Sequence, residues 1–251
     1  MATNGFGITE SIVHAPVSAQ GAYPYRAGTG IMASAEWNTF HDDFVKLVTS
    51  NAPVGWSSIL ETTGTWATST TATTGANGVL AGTHATASNG VAIYLPRSVQ
   101  LISGKKFFME VRLRTDDVTD NQVQIGLFDQ TGVATADAPF TTTAANLVAF
   151  GILDGSATVK MLCDKSNSGS TAETGTRSLT ADTWHTLAIA YDGASTIRGY
   201  VDGNLAQTWA QAFASTVPTA VALSPFVAMD NGNGAGGNNI LVDYVRFSSQ
   251  R

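Results

Sequence analysis

The stretch WHTLAIAYDGASTIRGYVDGNLAQTW, residues 184–209, constrains the fold of this chain more than any other. Leu187, Ile189 and Tyr191 point one way; Ile197, Gly199 and Val201 oppose Arg198, Tyr200 and Asp202; Leu205, Gln207 and Trp209 follow. A period of two is that of a strand, whose successive side chains leave opposite faces. Between the runs stand Asp192-Gly193 and Asp202-Gly203, dipeptides suited to the positive φ of tight turns. The stretch therefore predicts a three-stranded antiparallel meander.

The same period recurs upstream. In GKKFFMEVRLRTDD, Phe107, Met109, Val111 and Leu113 share one face and Phe108, Glu110, Arg112 and Arg114 the other, which predicts a strand with one buried and one partly wet side. Val123, Ile125 and Leu127 alternate against Gln122, Gln124 and Gly126, and NLVAFGILDGSATVKMLCDKS predicts two strands across Asp154-Gly155. AVALSPFVAMDN and ILVDYVRFSS supply further strands, whereas residues 61–90, crowded with Thr, Ala and Gly, predict ragged edge strands and loops. About a dozen strands exceed a single sheet and suit two packed ones.

The N-terminal fifth is different. Residues 1–32 are polar and Gly/Ala-rich with scattered apolar side chains, and predict an extended arm laid on a neighbour through Phe6, Ile8, Ile12, Tyr23 and Tyr25. In SAEWNTFHDDFVKLVTSN, Trp37, Phe40, Phe44 and Leu47 recur at steps of three or four, which predicts an amphipathic helix capped by Ser34 within a 33–54 helix-and-linker segment. Residues 55–251 are then the β domain.

Charged residues are only 13% of the chain, against roughly 25% in ordinary soluble domains, so Thr, Ser, Asn, Gly and Gln must form its surface. The net charge is -6, and no basic cluster exceeds Lys105-Lys106, which argues against nucleic-acid and anionic-membrane partners. No stretch reaches the ~18 apolar residues of a spanning helix, and the N-terminus reads as no secretory signal, so synthesis in the cytoplasm is expected. The single cysteine, Cys163, sits in an alternating run and reads as a small hydrophobe.

RSLTADTWHTLAIAYDGASTIRGYVDGNLAQTW, together with the terminal NNILVDYVRFSS, resembles the concanavalin A-like lectin/glucanase superfamily, especially its laminin-G-like jelly-roll domains. The likeness rests on Trp184 and His185 before a strand, on Tyr200, Val201, Asp202 and Gly203 in a hairpin, and on Asp243 in the last strand, and it extends over residues 55–250. It implies an all-β, two-sheet antiparallel jelly-roll sandwich. It leaves function open, because such a fold hosts enzymes, lectins and scaffolding parts.

The glucanase branch of this fold uses closely spaced acids on one strand, since retaining glycosidase chemistry needs carboxyls ~5 Å apart. No such trio is present: Glu110 stands alone in its strand, and His14, His41, His84 and His185 have no metal-ligand spacing. An enzyme is therefore not expected, and His185 reads as a packing residue. Two loops carry hard oxygens: Asp230, Asn231, Asn233, Asn238 and Asn239, and the group Asp116, Asp117 and Asp120. Either suits calcium or sugar hydroxyls, although calcium asks for several carboxylates and a plain turn is the simpler reading. Trp56, Trp66 and Trp209 are expected in the core rather than as exposed sugar platforms.

The arm, the helix and the low-charge body lead to the expectation of a virion structural protein. This would be a bacteriophage capsid decoration or cement protein at the capsid surface, bound to the major capsid protein as a homo-oligomer, with a trimer fitting three-fold lattice sites. The alternative is a carbohydrate-binding lectin-like module or adhesin, with surface glycans as partners; a hydrolase with a degenerate site is the third class.

Overall fold

The computed structural model describes residues 37–44, 52–53, 55–61, 64–68, 78–84, 89–96, 98–130, 145–153, 155–167, 171–232 and 239–250. The expected arm (Phe6, Ile8, Ile12, Tyr23, Tyr25), Leu47, Asn233 and Asn238 lie outside them.

Fifteen strands and one short helix follow in order among the described residues: β1 Trp37–Asp42, β2 Ser57–Leu60, β3 Thr65–Thr68, β4 Leu80–Thr83, β5 Gly90–Tyr94, β6 Phe107–Thr115, β7 Asn121–Phe128, β8 Asn146–Leu153, β9 Ser156–Lys165, β10 Thr171–Ser178, β11 His185–Tyr191, β12 Ile197–Val201, β13 Asn204–Thr208, α1 Phe213–Thr216, β14 Ser224–Asn231 and β15 Asn239–Gln250. They make two antiparallel sheets. One has eight strands in the order β13-β12-β11-β6-β15-β4-β3, with β1 also on β15; the other has seven, β10-β9-β8-β7-β14-β5-β2. The architecture is the all-β jelly-roll sandwich that the alternation and the resemblance imply.

The inner faces interlock. Met109, Val111 and Leu113 of β6 and Leu187 and Ile189 of β11 pack with Ile125, Phe150 and Met161 of the opposite sheet, all of them buried. The Phe150 ring fills the gap at Gly199 of β12, where an added Cβ would stand 2.4 Å from its Cε2. Cys163 belongs to this core; its thiol is pushed well up by burial and further by the nearby negative charges of Glu173 and Asp164, which leaves it inert. Trp56, Trp66 and Trp209 are also buried, as expected.

The meander forms as the sequence predicts, with β11 on β12 and β12 on β13. Asp202 and Gly203 take φ of 48° and 79°, the signature of the two-residue turn closed by Val201 and Asn204. A register shift at Gly199/Tyr200 then turns Ala206 inward and leaves Leu205 exposed. His185 is a structural bridge. The Thr180 N–H donates to its Nε2 at 2.9 Å, so the proton sits on Nδ1 and is donated to Asp202 Oδ2 at 2.7 Å, while Asp202 Oδ1 accepts the Thr186 N–H.

The expected helix at Trp37, Phe40 and Phe44 is not formed. Residues 37–42 are instead β1, paired antiparallel with β15 from Trp37↔Gln250 to Asp42↔Val245. The edge of β15 beyond β4 offers unpaired backbone groups, and filling them overrides a weak helical preference. Phe40 stacks on Phe247 at 4.9 Å, and Asp42 ends the strand by accepting the Phe44 N–H and the Trp56 indole N–H, both at 2.8 Å. Phe44, at φ 54°, then tucks its ring against Trp56.

Candidate functional site

Strand register sets side chains of the seven-stranded sheet side by side on its outer face, the one turned away from the core. One row runs Lys160 (β9), Gly151 (β8), Gln124 (β7), Ala228 (β14), Ala92 (β5) and Ile59 (β2). The next runs Leu162, Ala149, Gly126, Phe226 and Tyr94. On the other flank Gln122 lies against Asp230. Small residues dominate the middle of these rows, and at two of them no side chain fits. A Cβ on Gly151 would stand 1.9 Å from the Val123 carbonyl oxygen, and one on Gly126 would stand 2.1 Å from that of Val148.

Above this floor sits Gln124. It is fully buried, and neither Nε2 nor Oε1 of its amide has a hydrogen-bond partner. A buried amide without partners costs about 1–3 kcal/mol on protein scales, which makes it an unusual choice for any position that only has to be filled. Around it Ala92, Ala149, Leu162, Phe226 and Ala228 form a buried apolar cluster of their own. Sequence alternation places Gln122, Gln124 and Gly126 on one side of β7. It does not show that both sides of that strand are buried, and so does not single out Gln124.

The group Asp116, Asp117 and Asp120 and the described ends of the second loop, Asp230 to Gly232 and Asn239, meet at one end of the sandwich, where several of their polar groups bond to the chain itself. Asp116 accepts the backbone and side-chain N–H groups of Asn239, and Asp117 Oδ1 accepts the N–H groups of Thr119 and Asp120. Gly232 N–H donates to the Asp120 carbonyl at 2.8 Å. Asp230 and Asn231 are strand residues rather than loop residues, because β14 keeps pairing with Gln122 and Asn121 to its last residue. Asn231 is buried, with its Nδ2 3.2 Å from His84 Nδ1. Among the described residues no three His, Cys, Asp or Glu side chains are grouped to hold a metal ion.

Glu110 lies on the outer face of the other sheet. Buried there, it accepts the Tyr244 hydroxyl at 2.7 Å and pairs with Arg246. Burial and the neighbouring Glu110 carboxylate hold the Tyr244 phenol well above its usual range. Further along that face the Arg112 guanidinium lies over the Trp184 ring at 4.9 Å and pairs with Asp243. These groups pair with one another across the strands and brace the sheet.

The sequence profile of the concanavalin A-like lectin/glucanases superfamily matches residues 92–250, more than half of the chain. The chain belongs to this superfamily. No curated protein sequence matches it. Among solved structures it is similar to a protein of unknown function from Shewanella oneidensis MR-1, at 13% identity over 86% of this chain and 88% of that one, with a TM-score of 0.58. It is also similar to endo-β-1,4-glucuronan lyase from the fungus Trichoderma reesei, at 14% identity over 83% and 94% of the two chains, with a TM-score of 0.55. Arcelin-5, a lectin-like defense protein from Phaseolus vulgaris, matches at 11% identity over 86% and 99%, with a TM-score of 0.55.

These findings correct the expectation of a capsid decoration protein bound to a major capsid protein. The neighbours named above with a stated role are a polysaccharide lyase and a lectin-like protein, not capsid proteins. The low-charge, Thr- and Gly-rich composition behind that expectation is equally what a sandwich with small residues on its sheets requires.

Proposed function

We propose that this chain is a non-catalytic carbohydrate-binding protein that holds its glycan on the outer face of the seven-stranded sheet. The observation that carries the reading is the buried, partnerless Gln124 amide over a floor of Gly151, Gly126, Ala149 and Ala228. An amide offers two N–H donors and a carbonyl acceptor, which matches the alternating donors and acceptors of sugar hydroxyls. The apolar cluster around it suits the C–H face of a pyranose ring, and apolar walls with few placed polar groups are typical of ligand sites. The fold shared with a lectin-like protein and a glucuronan lyase supports the same class of ligand.

The same strand supports binding without cleavage. Residues two apart on one strand face are where a retaining glycosidase would place its ~5 Å carboxyl pair. Here those places on β7 hold Gln122 and Gln124, whose amides do not exchange protons near neutral pH. The test is a glycan array with the full chain and with Gln124→Met, alongside a reducing-end assay on each polysaccharide bound. Retention of one sugar class by the wild type, its loss in Gln124→Met and no released ends are expected. An array with no bound glycan refutes binding, and turnover of a bound one refutes the non-catalytic part.

A further inference from the structure

The row that contains Gln124 begins two strands away with Lys160, and only Gly151 separates them. At ~4.8 Å per strand their Cα atoms stand roughly 10 Å apart, close enough for an ammonium on a four-carbon stem and an amide to converge over the glycine. Lys160 is half-buried, and among the described residues no carboxylate pairs with it. A half-buried cation without a carboxylate partner and a buried amide without a hydrogen-bond partner thus lie in one row, on either side of Gly151. Two other charged groups on this face, Asp164 and Asp230, are negative and lie on other rows, Asp164 against Leu147 and Asp230 against Gln122.

The geometry points to a subsite in which Lys160 and Gln124 together take the carboxylate of an acidic sugar, so that the glycan is a polymer containing uronic acid. The ammonium donates to one carboxylate oxygen and the Gln124 Nε2 to the other, while Gln124 Oε1 accepts from a hydroxyl of the same ring. A neutral sugar would leave the cation uncompensated. Asp164 and Asp230 disfavour the anion elsewhere on the face and so fix its register. This inference rests on the carbohydrate-binding reading and adds the charge of the ligand to it.

The test titrates the full chain with polygalacturonate, with the same polymer after its carboxyls are reduced to alcohols, and with a panel of neutral glycans. Polygalacturonate is expected to bind at least about tenfold more tightly than its reduced form, and Lys160→Gln to lose about that factor. Lys160→Arg, which keeps the charge, is expected to retain most of the affinity and shows that the position tolerates change. Equal binding of native and reduced polymers, or undiminished binding by Lys160→Gln, overturns the acidic-sugar subsite while leaving the carbohydrate-binding reading intact. Failure of every glycan to bind overturns both.

Discussion

Replacing Gln124 by Met should stabilise the protein while it removes the ligand. The two side chains have similar length and volume, so the substitution leaves neither a large cavity nor an overpacked site. What it removes is an amide that is wholly withdrawn from water with both of its polar atoms unmatched. Deleting that desolvation penalty is worth about 1–3 kcal/mol, because no protein hydrogen bond is lost in exchange. For a domain of this size about 2 kcal/mol corresponds to a rise in Tm of roughly 4–8 °C.

Urea denaturation followed by tryptophan fluorescence reads this directly, as a higher midpoint at unchanged slope, and the glycan array reads the other half. Gln124→Met with both a higher midpoint and no glycan binding identifies a residue kept for its ligand. A loss of about 1 kcal/mol or more at unchanged slope would refute the argument, since it would mean that the amide serves the fold.

Gly199→Ala sets a Cβ 2.4 Å from the Phe150 ring and should cost about 1–3 kcal/mol; adding Phe150→Leu should recover part of that loss in a double-mutant cycle. Asp202→Ala removes the acceptor for His185 and Thr186 and strains a residue at φ 48°, for about 1–3 kcal/mol of stability by calorimetry, with Asp202→Asn milder because asparagine tolerates that φ. Glu110→Leu leaves the Arg246 guanidinium and Tyr244 hydroxyl without their buried partner and should cost about 3–5 kcal/mol in urea denaturation without changing glycan binding. Burial would raise the Asp192 carboxyl, but the N–H groups of Ala194, Thr196 and Ser195 outweigh it and hold it below its usual value. Its contribution is therefore full above the ordinary carboxylate range near about pH 4 and is lost as pH falls through the lower folded value, so the stability gap between wild type and Asp192→Ala should close on acidification.

Local signals carried the sheet and missed what depends on distant partners. The meander was legible because alternation and Asp-Gly pairs act within a few residues, and Asp202 and Gly203 adopt the positive φ those pairs suit. The stretch at Trp37 and Phe40 was misread as a helix because spacings of three or four fit a helical stripe, whereas its partner is a strand some two hundred residues later. Asp230 and Asn231 close one run that reads as a strand and open another that reads as a loop; pairing with Gln122 and Asn121 of β7 places them in β14. The Gln124 site needed the register of six strands from five separated segments, together with the burial of the outer face, and neither is encoded within any one strand.

Glu110 and Gln124 are the two buried polar side chains that most clearly separate fold from function here. Each sits mid-strand in the centre of a sheet and on its outer face, and each is withdrawn from solvent. Glu110 has a tyrosine and an arginine built around it, so its cost of burial is offset within the chain and its removal harms the chain. Among the described residues Gln124 is flanked by glycine, alanine and hydrocarbon, and no hydrogen bond within the folded protein offsets its cost. The inner face of β7, Val123, Ile125 and Leu127, would fold against the opposite sheet whatever occupied position 124. On the proposed reading, an uncompensated polar group on a strand that does not need it serves a glycan, and an amide in one row with the Lys160 ammonium sets the chemistry of that ligand.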